Sequence, residues 1–288
     1  MRGPAAPFAA RLADAVARVG APLCIGLDPV VDDLPSPLSR DPAGARELCL
    51  RVIEATHPYA AAYKPNSGFF EALGPAGAAV LAEVVAAARA HAPVILDGKR
   101  GDIGHTSSAY ATAAYQQLGA DACTVSPYLG QDAVAPFLAV PGRLAFLLCR
   151  TSNPGAADLQ DLVVRAPGEA GARGEPLYLR VARLAVEWDR TGPGGTTGLV
   201  AAATWPAELA SVRRAAPGLP ILVPGVGAQA GDLEAASRAA AGADGSAPFL
   251  VAVSRGVTGA SRGPDFAAAA GLAARGWCDR LRLATAGG

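Results

Sequence analysis

Short apolar runs alternate along this chain with longer segments in which apolar residues recur every three or four positions. Short runs of this kind are typical of buried strands, and the three- and four-residue spacing is typical of amphipathic helices. Eight strands are predicted, at residues 23–27, 61–64, 94–97, 122–126, 144–149, 199–203, 221–223 and 249–253. Helices are predicted at residues 43–56, 76–90, 107–118, 177–188, 207–215 and 265–281.

The alternation of strands and helices predicts an α/β protein with a parallel sheet. Eight such units favour closure into a (β/α)8 TIM barrel over an open sheet, and 288 residues suit one barrel of this kind. We expect a single domain over residues 1–288, with an N-terminal helix before the first strand. Glycine-rich stretches interrupt the pattern and predict loop insertions near residues 156–176 and 190–198.

Composition and charge narrow the range of partners. The hydrophobic fraction is 51%, and 25 basic residues balance 25 acidic ones, so the formal net charge is zero. Such a chain can bury a large core, and it lacks the excess of basic residues typical of nucleic-acid or membrane binding. Charges and prolines interrupt the N-terminal segment, which does not resemble a signal peptide. We therefore expect a cytoplasmic protein with a small-molecule partner, bound to neither nucleic acid nor membrane.

Charged residues cluster where the predicted strands end. Asp28 follows the first strand and Lys64 ends the second, while Asp97, Lys99 and Asp102 lie at or just beyond the end of the third. In a parallel barrel all strands end at one mouth, where barrel enzymes carry their chemistry. Each residue alone could belong to an ordinary turn. Together they predict a charge network that shifts pKa values and positions a lysine to transfer a proton.

Lys64 and Lys99 are the only lysines among 25 basic side chains. All the others are arginines, so the composition favours arginine wherever any cation suffices. Arginine holds its proton, whereas a lysine can release one. The two lysines are therefore candidates for a role that needs an ammonium group, although chance retention of two surface lysines would give the same count.

A glycine-rich loop, Pro224-Gly-Val-Gly-Ala-Gln229, follows the seventh predicted strand, and Ser254-Arg255 follows the eighth. Barrels frequently bind phosphate in these two loops through backbone N–H groups and a cation, so a phosphorylated substrate is predicted. An ordinary glycine turn is the alternative. Residues 225–230 also match the dinucleotide-binding fingerprint, but that motif belongs after the first strand of an open sheet.

The segment Arg150-Thr-Ser-Asn-Pro-Gly155 follows the fifth predicted strand. Its Asn-Pro-Gly portion is by itself a turn signal. The polar side chains before the turn could also bind the hydrogen-bonding edge of a ring. The position of the segment leaves both interpretations open.

These motifs resemble, in order, those of the orotidine 5'-phosphate decarboxylases, in particular the longer bacterial subgroup. The resemblance extends from about Leu23 to Gly259. The chain departs from the commoner form of the family in having Arg100-Gly101 after Lys99, as the longer subgroup does, and Ser254 where glycine is common. The matching motifs are Ile25-Gly-Leu-Asp28, Tyr63-Lys-Pro-Asn66, Leu96-Asp-Gly-Lys-Arg-Gly-Asp-Ile103, Thr151-Ser-Asn-Pro-Gly155, Pro224-Gly-Val-Gly-Ala-Gln229 and Ser254-Arg255.

The resemblance implies a substrate, a reaction and residues that bind the substrate. The reaction would be decarboxylation of orotidine 5'-phosphate to uridine 5'-phosphate and CO2, the last step of de novo pyrimidine nucleotide biosynthesis, with no cofactor and no metal. Asp28 and Lys64 would bind the ribose hydroxyls, and Ser152 would bind the pyrimidine. The residues implied at the phosphate end are Pro224, Gln229, Ser254 and Arg255.

The resemblance also implies how the chemistry is divided among residues. Lys64, Asp97, Lys99 and Asp102 would form a network of alternating charge. Lys99 would stabilise the carbanion that forms at C6 and then protonate it. Asp102 and Thr106 would come from the partner subunit, so a homodimer would share its active sites across the interface.

Two alternatives remain open on the residues alone. A metal-dependent sugar-phosphate decarboxylase or aldolase of the same barrel superfamily would share the Asp97-x-Lys99-x-x-Asp102 pattern but would carry an acidic metal ligand where Lys64 stands. A non-catalytic nucleotide-binding barrel would be expected to lack Asp97 or Lys99, and both are present.

Overall fold

The computed structural model describes residues 6–165, 173–192, 196–227, 232–243, 245 and 247–286. Parts of both predicted insertions, including Gly171 and Gly194, lie outside the described residues, and so does Gln229. Within the described ranges, no helix is both long enough and apolar enough to cross a membrane.

Ten strands are present, and eight of them form one parallel sheet. The strands are β1 (Leu23–Leu27), β2 (Ala62–Pro65), β3 (Ile95–Arg100), β4 (Ala122–Val125), β5 (Leu144–Arg150), β6 (Val163–Val164), β7 (Glu175–Pro176), β8 (Thr197–Ala201), β9 (Ile221–Val223) and β10 (Phe249–Val253), counted within the described residues. The spatial order in the large sheet is β2-β1-β10-β9-β8-β5-β4-β3. Bridges from Tyr63 to Val94 and from Asn66 to Asp97 join β2 to β3. The sheet thus closes on itself, and the predicted (β/α)8 TIM barrel is confirmed.

Helices alternate with the barrel strands as the sequence pattern predicts. The helices are α1 (Phe8–Val19), α2 (Pro42–Thr56), α3 (Ser67–Glu71), α4 (Gly74–Arg89), α5 (Gly104–Thr112), α6 (Gln131–Leu138), α7 (Ala157–Gln160), α8 (Leu177–Thr191), α9 (Pro206–Ala215), α10 (Leu233–Ala241), α11 (Arg255–Thr258) and α12 (Phe266–Ala286). Local signals set several ends. Asp41 caps α2 by accepting hydrogen bonds from the N–H groups of Ala43 and Gly44, with Pro42 at the first helical position.

The interior of the barrel is closed at the amino-terminal end of its strands by α1. Phe8 and Leu12 are buried there, and the Phe8 ring meets the Phe146 ring edge to face, with centroids 5.9 Å apart. Gly198 makes room for this pair, because a Cβ at that position would lie 2.8 Å from the Phe146 ring. Since this end is filled, the strand ends at the opposite mouth are the ones that can surround a ligand.

A second, larger apolar layer lies between the barrel and the surrounding helices. Outward-facing strand residues such as Ile25 and Leu147 are fully buried there, together with Val52 of α2 and Val84 of α4. Full burial of an aliphatic side chain of this size contributes about 1.5–3 kcal/mol relative to exposure. The helices are therefore held mainly by packing on the sheet.

The structure differs from the predicted elements in several places. The predicted helix 107–118 is divided into α5 and a π-helical turn, Ala113–Gln117, which carries the buried Tyr115 whose hydroxyl donates to the Leu144 carbonyl at 3.0 Å. Helices α3, α6, α10 and α11 were not among the predicted helices, because segments this short give little periodicity. The described part of segment 156–176 contains α7 and the strands β6 and β7.

Candidate active site

Two adjoining cavities open at the carboxyl ends of the barrel strands. The first, of about 460 Å³, lies between the ends of β1, β2, β9 and β10, and the second, of about 410 Å³, lies toward β3, β4 and β5. A larger cavity of about 710 Å³ lies at the opposite end of the barrel, beside α9 and α10, and is lined by none of the predicted site residues. The predicted residues that line one or both mouth cavities are Asp28, Lys64, Asp97, Lys99, Ser152, Pro224, Ser254 and Arg255.

A chain of alternating charge occupies the wall that the two cavities share. The Asp97 carboxylate lies between two ammonium groups, with Oδ2 2.7 Å from Lys64 Nζ and Oδ1 2.7 Å from Lys99 Nζ. The Thr124 hydroxyl also donates to Asp97 Oδ1, at 2.9 Å. Both oxygens of the carboxylate are thereby engaged, so its plane is held in one orientation.

Burial and charge act in opposite directions on this network. Burial by itself would raise the pKa of Asp97, but the adjacent charges of Lys64 and Lys99 outweigh it and hold that pKa well below its usual range. Burial by itself would lower the pKa of Lys64, but Asp97 and Asp28 raise it above its usual range. Lys64 and Asp97 are therefore both charged near neutral pH.

Lys99 has an unusual backbone conformation. It is the one non-glycine residue with positive φ among those described, at 45°. This conformation occurs where the pairing of β3 with β4 is irregular, between Leu96 and Arg100. The Lys99 N–H donates to Thr124 Oγ1 at 2.9 Å. Such a conformation costs about 1–3 kcal/mol and tends to occur at functional sites. Its effect here is to turn the half-exposed Lys99 side chain toward Asp97 and the second cavity.

Asp28 contributes a buried carboxylate oxygen that no described residue engages. Its Oδ1 is buried and accepts no hydrogen bond from any described residue, although Asp28 lines the first cavity with Lys64. A buried carboxylate oxygen without a donor is costly. A hydroxyl group bound in the cavity would supply that donor.

Ser254 is accommodated by a glycine on the neighbouring strand. A Cβ at Gly26 would lie only 1.9 Å from Ser254 Oγ, so no larger residue fits at position 26 while Ser254 is present. The side chain that distinguishes this chain from the commoner family form thus occupies space left by the Ile25-Gly-Leu-Asp28 motif.

The loop after β9 needs its glycines. Gly225 and Gly227 have φ of 96° and 82°, values that side chains other than glycine rarely adopt. Gly225 and Arg255 line the same cavity, beside Asp28. The glycine backbone of this loop and the guanidinium of Arg255 therefore face the same cavity, as binding of an anion would require.

Asp102 and Thr106 lie outside both cavities. Asp102 Oδ1 accepts from the N–H of Ile103 at 2.7 Å, and no contact among the described residues joins Asp102 to Lys64 or Lys99. The adjacent Ile103 side chain is 59% exposed. Within one chain, the fourth member of the predicted charge network is therefore not brought to the other three.

Sequence reasoning missed Thr124 and Gln160, which both line the second cavity. Thr124 lies one residue before the end of β4, so its position near a strand end was an available signal. Gln160 lies ten residues beyond β5 on the short helix α7, and nothing in the local pattern distinguished it.

Comparisons with known proteins agree with these features. A family model described as Orotidine 5'-phosphate decarboxylase / HUMPS family matches residues 21–270. Orotidine 5'-phosphate decarboxylase of Roseiflexus castenholzii is 50% identical over 263 residues, which cover 91% of this chain and 92% of that protein. The protein of the same name from Thermomicrobium roseum is 47% identical, over 97% of this chain and 98% of its own. The structure of Leishmania donovani OMP decarboxylase is 41% identical, with a TM-score of 0.81, and the match covers 97% of this chain and 98% of that one.

The closed parallel barrel, with a lysine–aspartate network at the carboxyl ends of its strands, places the chain among the (β/α)8-barrel proteins. With the matches above, the chain belongs to the orotidine 5'-phosphate decarboxylase family. The predicted family and the predicted enzyme class, a carboxy-lyase of pyrimidine nucleotide biosynthesis, are confirmed. The relatives do not favour the sugar-phosphate enzyme or the non-catalytic barrel.

Proposed function

We propose that the charge network at the barrel mouth carries out the reaction of the family, the decarboxylation of orotidine 5'-phosphate to uridine 5'-phosphate and CO2. The observation that carries this proposal is the Asp97 carboxylate held at 2.7 Å from the ammonium groups of both Lys64 and Lys99. The pyrimidine has no strong electron sink beside C6. Stabilisation of the charge that develops there must therefore come from groups already fixed in place.

The two cavities suggest how the substrate lies. The ribose hydroxyls would meet Lys64 and Asp28, whose buried Oδ1 has no donor within the described part of the chain. The phosphate would lie toward Gly225 and Arg255 in the first cavity, with Pro224, Ser254 and Gln229 nearby in sequence. The pyrimidine would then extend past Ser152, which lines both cavities, toward Lys99 in the second.

The reaction needs one bond broken and one formed at C6. The bond to the carboxylate breaks, its electron pair stays on C6, and CO2 leaves. The Lys99 ammonium stabilises the developing carbanion and then gives it a proton, and the resulting amine regains a proton from solvent, to which half of the Lys99 side chain is exposed. Asp97 orients Lys99, because its two oxygens are already committed to Lys64, Lys99 and Thr124.

We further propose a homodimer that supplies the missing carboxylate. Asp102 lies on the loop between β3 and α5, apart from the network of its own chain, and exposed apolar residues occur on that loop and on the loop after β4. Ile103 is 59% exposed, and Tyr128 and Leu129 of the loop after β4 are 79% and 48% exposed. Such a surface would become buried in a subunit interface, and Asp102 and Thr106 would then enter the partner's active site.

The proposed setting is the cytoplasm, where the enzyme would act on a free nucleotide instead of a nucleic acid or a membrane. The chain has no net charge to favour binding to either. The substrate itself is a small, phosphorylated metabolite, and the polar cavities at the barrel mouth suit such a ligand.

A spectrophotometric assay on orotidine 5'-phosphate tests the proposal directly. We expect conversion to uridine 5'-phosphate that survives exhaustive chelation, because Lys64 Nζ lies where a metal-dependent relative would carry an acidic ligand, and its charge repels a cation. Activity that is lost on chelation and restored by magnesium would instead support a metal-dependent reaction. No activity under either condition would favour a binding protein.

A further inference from the structure

A β-bulge near the end of β5 sets the direction of Arg150. Leu148 pairs with Val200 of β8, and Arg150 pairs with the next residue, Ala201, so Cys149 is an extra residue on β5. Bulges often redirect a side chain beside an active site. Here the bulge places Arg150 in the protein interior, where it is 2% exposed, directly before the loop that carries Ser152.

The buried guanidinium of Arg150 is held from three sides. Its Nη2 donates to Asp161 Oδ2 at 3.1 Å, its Nη1 donates to Gln160 Oε1 at 3.4 Å, and its Cζ lies 4.6 Å from the centroid of the Trp205 ring. Its Nε finds no hydrogen-bond acceptor among the described residues. A buried cation that is incompletely satisfied adds little to stability, so the position of Arg150 beside the loop is better explained by a role in the site.

Gln160 connects this cation to the loop after β5. Its Oε1 accepts from the backbone N–H of Thr151 at 2.9 Å, and its Nε2 donates to Thr151 Oγ1 at 2.8 Å. The Thr151 hydroxyl in turn donates to Asn153 Oδ1 at 2.6 Å. The side-chain amide of Gln160 thus forms hydrogen bonds with both the backbone and the side chain of Thr151, the residue before Ser152.

We infer that Arg150 and Gln160 are positioning residues that fix the loop 151–153 for recognition of the pyrimidine. Arg150 fixes the amide of Gln160, that amide fixes Thr151, and Ser152 is thereby presented to the shared wall of the two cavities. Gln160 and Asn153 line the second cavity together with Lys99, so the held loop faces the reacting end of the substrate. The inference rests on the proposed function, in which Ser152 contacts the base.

The inference predicts that loss of Gln160 weakens the binding of ligands that carry the pyrimidine base and does not affect ligands that lack it. Gln160→Leu keeps the size of the side chain and removes both of its bonds to Thr151. We expect uridine 5'-phosphate to bind about tenfold more weakly, as the loss of one or two net hydrogen bonds implies, and ribose 5-phosphate, which has no base, to bind unchanged. KM for orotidine 5'-phosphate should rise with little change in kcat.

The matched control is Gln117→Leu, on an exposed side chain of the π-helical turn. It should alter neither affinity, and circular dichroism should show that both variants are folded. A merely structural role for Gln160 would instead lower the active fraction, so kcat would fall at constant KM. That result, or equal weakening of both ligands, or no change in the affinity for uridine 5'-phosphate, would overturn the inference.

A double-mutant cycle tests the order of action. Arg150→Lys keeps the buried charge but lacks the planar fork that reaches Gln160 and Asp161 together. Because Arg150 acts through Gln160, the double variant should raise KM no more than Gln160→Leu alone does, whereas additive effects would contradict this order. Ser152→Ala distinguishes a failure of the proposed function from a failure of the positioning inference. If it leaves the affinity for uridine 5'-phosphate unchanged, the proposed contact with the base fails; if it lowers that affinity and Gln160→Leu does not, the positioning inference alone fails.

Discussion

At the scale of single residues, Lys99 has a strained backbone conformation and a side chain that is accessible to solvent. Its φ of 45° directs the ammonium group to Asp97, and half of the side chain remains exposed to solvent. The lysine can therefore be held for proton transfer and still be reprotonated from water. Composition pointed to the same residue, because it is one of only two lysines in the chain.

Replacing Lys99 with arginine should greatly reduce turnover while the fold persists. The variant retains the positive charge beside Asp97, but the guanidinium does not readily release a proton. We expect kcat on orotidine 5'-phosphate to fall by about 100-fold or more, as the loss of a general acid implies. Circular dichroism and thermal melting would verify the fold. A variant that keeps most of its activity would refute the assignment of Lys99 as proton donor.

Arg255 is the residue through which the phosphate should contribute to catalysis. We expect Arg255→Ala to lower kcat/KM on orotidine 5'-phosphate by about 100-fold, because charge-assisted hydrogen bonds to the phosphate are lost. The same variant should show almost no defect on orotidine, which has no phosphate.

The control for this comparison is Arg275→Ala, on the exposed side of α12, which should affect neither substrate. Equal losses on the two substrates after Arg255→Ala would show that Arg255 supports the fold of the loop after β10, and its assignment to the phosphate would be withdrawn.

At the scale of secondary-structure elements, α1 is the plug of the barrel. Its periodic apolar residues predict only an amphipathic helix, but its buried face enters the barrel interior against Phe146. Gly20, with φ of 71°, ends the helix and turns the chain into β1. The interior of the barrel is thus packed against an element that precedes the sheet in sequence.

Truncating the plug should destabilise the protein without altering its chemistry. Phe8→Ala should lower the free energy of unfolding by about 3–5 kcal/mol, because it leaves a cavity where a fully buried ring packed. Urea denaturation measures the change, and kcat of the folded enzyme should stay the same. Leu272→Ala on α12, where the side chain is 72% exposed, is the control and should have little effect. A loss below about 1 kcal/mol for Phe8→Ala would mean that the interior does not need the plug.

At the scale of the whole molecule, the proposed function requires a second subunit to complete the active site. Asp102 is turned to the N–H of Ile103 on an exposed loop and has no contact with the Lys64–Asp97–Lys99 chain among the described residues. A two-fold dimer would repeat any contact between this loop and the partner's barrel mouth, so that both sites would be completed at once.

Mixing inactive subunits tests this sharing. Lys99→Ala and Asp102→Ala should each be nearly inactive alone, yet a mixed dimer would contain one site with both defects and one with neither. Random reassortment of equal amounts makes about half of the dimers mixed, so about a quarter of the unmodified activity should return.

A second mixture controls for effects of reassortment itself. A mixture of Lys99→Ala and Asp97→Ala should recover no activity. Both residues act in the barrel of their own chain, so every active site of a mixed dimer carries one of the two defects. If verified subunit exchange of the first pair also restores nothing, Asp102 acts within its own chain.

The sequence by itself determined the parts of this protein that depend on local pattern. Alternation of short apolar runs with periodic segments predicted the eight strands of the barrel, and Gly225 and Gly227 marked a loop with a special backbone. The scarcity of lysine marked Lys64 and Lys99 as chemically important. These features are readable because each depends on residues within a few positions of one another.

Only the tertiary structure decided which side chains meet. Thr124 joins Asp97 because β4 lies beside β3, and Gln160 reaches Thr151 because a bulge in β5 and the helix α7 bring them together. Irregularities in strand pairing change the direction of a side chain without changing the alternation of apolar and polar residues. Contacts between residues distant in sequence follow from barrel closure. Closure brings together the ends of strands that are far apart in sequence, and no local pattern predicts which of these ends meet.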